Sequence, residues 1–167
     1  MIADKYHIKM QIGAAGVIGE GLTMVEQKAV VAAPVMDPIW PKVQGKMKPV
    51  FFIKDELPNM VQSVGVTTVE YAKTNGDKLR KLVQARKKAV QFVYANPEET
   101  AKIVAKRYNA DEKIILASIK NLIAIKYWSE GEFEYDGMDN MVKGLQIIGE
   151  VDGKVDWSKV VDTSYLK

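Results

Sequence analysis

The chain has 167 residues, 47% hydrophobic and 27% charged, enough for one globular domain with a real core or for two small lobes. It contains no cysteine, which excludes disulfides, thiolate metal sites and thiol nucleophiles. A net charge of +3 does not by itself imply nucleic acid or a membrane surface, and no apolar run reaches the roughly 18 residues of a bilayer span.

The first ten residues lack an apolar h-region and a small-residue cleavage site, so they do not read as a signal peptide. Tyr6–Gly13 alternates and predicts a strand. It carries His7, the only histidine, so no His pair can ligate a metal. From Val17 to Gln27, Leu22, Met24 and Val25 predict a short helix, and Ala29–Val35 is an apolar run of strand length. Strand, helix and strand within about thirty residues predict a βαβ unit. After a loop at Pro34, Pro38 and Pro41, strands are expected at Pro49–Ile53 and Val64–Tyr71.

The second half reads as helices. Leu79, Leu82, Val83, Val90 and Val93 recur at helical spacing over Asp77–Ala95. Asn96, Pro97 and Glu99 then signal the start of a helix to about Tyr108. Further helices are predicted over 111–129 and 138–149. The chain is expected to divide near residue 50, into a βαβ portion at 1–50 and a helix-rich portion with crossing strands at 51–167.

Gly13, Gly16, Gly19 and Gly21 mark the first strand-to-helix turn. Free amides at a helix N-terminus attract anions, so the turn can cradle a polar ligand. It can equally be a purely structural turn. Asp37 lies about twenty residues on, where a ribose-binding acid belongs, which keeps a nucleotide-dependent enzyme using Gly13–Gly21 and Asp37 as the alternative. The spacing is not G-x-G-x-x-G, and a proline follows Asp37 directly. Trp40 beside Asp37-Pro38 can wall a pocket.

Lys78, Arg80, Lys81, Arg86, Lys87 and Lys88 make a basic helix that reads as a solvated face, and no nucleic-acid partner is expected. Glu130, Glu132, Glu134, Asp136 and Asp139 form an acidic loop without the order of a calcium-binding hand. No catalytic acid–base set, metal site or cofactor emerges, and the expectation is a binding protein and not an enzyme.

The order of these features carries a resemblance over residues 6–160. The strand, glycine turn and helix of Ile8–Gln27, then "AVVAAPVMDPIW", "FFIKDELP" and "TNGDKLRKLVQARKKAVQFVYANPEETAKIVAKRYN", resemble the C-terminal portion of periplasmic solute-binding proteins of ABC importers. The nearest group includes nitrate, sulfonate, taurine and thiamine-pyrimidine-precursor binders. The resemblance implies an α/β fold of the two-lobed, type II-like kind, closing on a small anionic or heteroaromatic solute. It places Ala14, Ala15, Gly16, Asp37 and Pro38 at the ligand, with Trp40 beside them as an expected pocket wall. It implies a membrane permease as partner, a periplasmic location, and a chain that is part of a longer binder. Such a chain is expected to bind weakly alone and to form a homo-oligomer.

Overall fold

The computed structural model describes residues 1–166, and among them there is no β-strand. The helices in chain order are α1 (Ile2–Lys5), α2 (Ile18–Glu26), α3 (Trp40–Val43), α4 (Ile53–Glu56), α5 (Val69–Thr74), α6 (Gly76–Ala95), α7 (Pro97–Tyr108), α8 (Glu112–Ala124) and α9 (Tyr135–Ile147). A 3₁₀ turn comes after them at Trp157–Lys159.

The α/β expectation, with its βαβ portion at 1–50, is therefore corrected to an all-helical structure among the described residues. A strand exists only where a neighbour completes its hydrogen-bond ladder, whereas a helix satisfies its own backbone. Tyr6–Gly13 and Ala29–Val35 have strand-like sequences but no ladder partner, and they run as irregular chain. Several of their apolar side chains, and of those in the segment before α5, are consequently left in solvent: Ile12 is 88% exposed, Val31 100% and Val66 89%. His7 likewise sits exposed in a turn after α1, at φ 53°, and not on a strand. Parts of the other two expected strands became helix. At Val69–Thr74 the Thr68 hydroxyl accepts from the Tyr71 amide at 3.1 Å, a local cap that needs no distant partner.

The helical half obeys its periodicity. The α6 helix covers the predicted Asp77–Ala95 and α7 the predicted segment to Tyr108. The predicted 111–129 helix stops at Ala124, because Lys126 turns left-handed at φ 52°. The predicted 138–149 helix starts earlier and ends at Ile147. There Gly149, at φ 76°, lets the Glu150 amide reach the Leu145 carbonyl at 3.0 Å.

The chain divides into two compact units. One contains Ile2–Glu56 and Pro97–Ile125. Its core is the α7–α8 pair, where Ala101 and Ala105 on α7 and Ile115 and Ile119 on α8 are buried at four-residue spacing. The α3 helix also packs on α8, and Pro41 of α3 is buried. The other unit contains Met1, Leu57–Asn96 and the segment from Lys126 on. Val90 of α6 and Met138 of α9 are its buried hydrophobic residues.

Candidate functional site

All six residues expected at the ligand lie in the unit built from Ile2–Glu56 and Pro97–Ile125, in two groups. Ala14, Ala15 and Gly16 lead into α2. Gly16 has φ +69°, a conformation glycine adopts without strain. It allows Glu20 to fold back so that its Oε2 accepts from the Val17 amide at 3.3 Å. A Cβ on Gly16 would stand 2.2 Å from that oxygen. The chain's own carboxylate thus occupies the anion-attracting start of α2. One turn further, buried Gly21 faces Ala33 and Ala15, where an added Cβ would lie 3.3 Å and 3.8 Å from their Cβ atoms.

Asp37, Pro38 and Trp40 form the second group. The Asp37–Pro38 peptide is cis, and the Ile39 and Trp40 amides both donate to the Met36 carbonyl, at 2.9 and 3.1 Å, starting α3. Trp40 stands edge-on to Phe52, with ring centroids 6.0 Å apart at 82°. Because α3 rests on α8, Asn121 of α8 comes within reach and its Nδ2 donates to Asp37 Oδ1 at 3.4 Å. Carboxylate, amide and two aromatic rings so come from three separate stretches of the chain. A shallow depression of about 250 Å³ in the other unit, lined by Thr68, Glu70, Tyr71 and Thr74, includes none of the six.

Sequence reasoning missed Asn121 and Phe52. Asn121 stands between Lys120 and Leu122, 84 residues from Asp37, and nothing in its neighbours ties it there. Phe52 lay in an expected strand, which hid its pairing with Trp40. Also missed was a clamp joining α1 to α4. Lys5 Nζ donates to the Glu56 carbonyl at 2.8 Å and to its Oε2 at 3.0 Å, and the Tyr6 hydroxyl donates to the same carboxylate.

The clamp is charge-coupled. The Tyr6 hydroxyl and then the Lys5 ammonium hold the Glu56 carboxyl below the usual glutamate range. Hydrogen bonding to Glu56 raises both Lys5 and Tyr6. A lowered carboxyl stabilises above its ordinary range and loses that contribution as pH falls through its folded value. The raised Tyr6 and Lys5 contribute below their ordinary ranges and lose it as pH rises. We expect Tyr6 ring resonances to stay constant through neutral pH and to shift at both extremes. Glu56→Gln should abolish the acid step, and an unchanged acid step in that variant would rule the clamp out.

In the other unit, part of the basic helix and part of the acidic loop, both expected as solvated charge, hold each other. Arg86 donates to the Ser129 carbonyl at 2.7 Å, Gln91 to Glu130 at 2.9 Å, and Lys87 pairs with Glu130 at 3.4 Å. Such exposed pairs contribute little individually.

Residues 4–100, more than half the chain, match a family model, and that match assigns a solute-binding role in ABC-type transport. The chain belongs to the NMT1/THI5-like family, most of whose members are periplasmic solute-binding proteins of ABC transporters for nitrate, sulfonate or thiamine precursors, while THI5 itself is a pyrimidine synthase. No curated protein and no solved structure matches it. Among the described residues, no helix is long and apolar enough to cross a membrane.

Proposed function

We propose that Asp37, Trp40 and their neighbours form the binding wall for a small heteroaromatic solute carrying N–H donors. The chain delivers this solute to the membrane permease of an ABC importer in the periplasm and carries out no chemistry on it. The placing of Asp37 three residues before Trp40, whose ring meets Phe52 edge-on, is the observation that carries this reading: a carboxylate accepts N–H donors, and an aromatic face stacks on a flat ring. Of the two solute classes expected, an anion is the poorer fit, because Asp37 repels it and the Glu20 carboxylate already sits on the Val17 amide at the start of α2. Ala14, Ala15, Gly16 and Pro38 remain proposed contacts, and no nucleic acid is a proposed partner. A second copy of the chain is the proposed cover for exposed Ile12 and Val31.

Tryptophan fluorescence titrated with 4-aminopyrimidine, nitrate, an alkylsulfonate, NAD and ATP tests the reading. The aminopyrimidine should bind saturably, and Asp37→Ala should weaken it by about 10- to 100-fold, the worth of one charged hydrogen bond. Saturable binding of NAD or ATP alone would replace this reading with the nucleotide one. Binding of nitrate or sulfonate alone would move the solute to the anionic class.

A further inference from the structure

The contact between Asn121 and Asp37 has more content than a surface hydrogen bond. An asparagine amide carries two N–H donors and one carbonyl acceptor, while an ionised carboxylate only accepts. Facing a carboxylate, the amide must present its nitrogen, so the 3.4 Å contact from Nδ2 to Oδ1 fixes which way Asn121 points. One N–H is used there and the second is left over. On Asp37, Oδ2 is left over. Among the described residues neither side chain makes another hydrogen bond, and Asn121 is exposed with Asp37 half-buried, so both unused groups face accessible space. The pair therefore offers an acceptor and a donor next to each other, three residues from the Trp40 ring.

We infer that Asn121 is a second ligand-reading residue, which together with Asp37 recognises the edge of a heteroaromatic amine. Asp37 accepts the exocyclic amino proton, and the free N–H of Asn121 donates to the ring nitrogen beside that amino group. The inference rests on the heteroaromatic reading of the Asp37 site and adds to it a requirement for a ring nitrogen adjacent to the amine. It also gives α8 a part in selecting the solute: the packing of α3 on α8 brings a residue from far along the chain to Asp37.

The test compares 4-aminopyrimidine with aniline, which keeps the amino group and ring but lacks the ring nitrogen, on the wild-type chain and on Asn121→Leu, Asn121→Ala and Asn121→Gln. Wild type should bind 4-aminopyrimidine about 5- to 10-fold tighter than aniline, the worth of one neutral hydrogen bond. Asn121→Leu and Asn121→Ala should erase that preference by weakening only the aminopyrimidine, and Asn121→Gln should restore part of it. Circular dichroism melts of the variants should match wild type, since the side chain is exposed. If both truncations keep the wild-type preference, Asn121 reads nothing and the inference is overturned, while Asp37-dependent binding of the aminopyrimidine would still stand. If the wild-type chain binds neither ring, the heteroaromatic reading falls and takes this inference with it.

Discussion

Ile115→Ala should cost about 2–4 kcal/mol of unfolding free energy, and Ile119→Ala a similar amount. Both isoleucines are only 6% exposed, on successive turns of α8. Opposite them α7 carries Ala101, fully buried, and Ala105. Alanines let the two helices approach closely, and the isoleucines are the large buried side chains of the pair. Removing one leaves a cavity that small neighbours cannot collapse to fill. Against the 5–15 kcal/mol of an ordinary domain this is a large share. Denaturant unfolding monitored by circular dichroism measures it, and a loss below about 1 kcal/mol would mean that the α7–α8 contact is not a packed core. The same loss should reach the candidate site, because α3 rests on α8 and Asn121 lies on it.

Gly137→Val should destabilise the other unit by about 1–3 kcal/mol, although valine has the better helix propensity of the two. Gly137 is buried in the first turn of α9, and its carbonyl accepts from the Val61 amide at 3.2 Å. An added Cβ would lie 3.2 Å from Val61 Cγ2 and 3.3 Å from the Val61 nitrogen. The Val61 side chain can rotate, but its nitrogen cannot withdraw without lengthening that hydrogen bond. The larger the side chain, the more the bond must give. Gly137→Ala should therefore be nearly neutral, with propensity offsetting the clash, and Gly137→Val should show faster exchange at the Val61 amide. Slow exchange there in the valine variant would show that the segment before α5 yields freely.

The sequence by itself determined the helices of the second half. The period of Leu79, Leu82, Val83, Val90 and Val93 and the break at Asn96-Pro97 are local signals, and a helix closes its hydrogen bonds within four residues, so local signals suffice. The order of short segments across residues 4–100 was likewise legible as a family pattern. Strands were not. Tyr6–Gly13 and Ala29–Val35 have the composition of strands, but whether such a run becomes one depends on a neighbour it does not encode, and none of the described residues provides it. The site divides in the same way. Gly16, Asp37 and Trp40 stood out in the sequence because a glycine turn and an Asp-Pro-x-Trp cluster are local features. Their partners did not. Glu20 on the amide of Val17, Phe52 against Trp40, Asn121 on Asp37 and Lys5 on Glu56 are set by how the chain folds back on itself. Three of these four link residues 12 to 84 positions apart, a separation at which side-chain type carries no signal of contact; the packing of α3 on α8 accounts for Asn121 on Asp37, and the other two pairs are likewise set by tertiary folding.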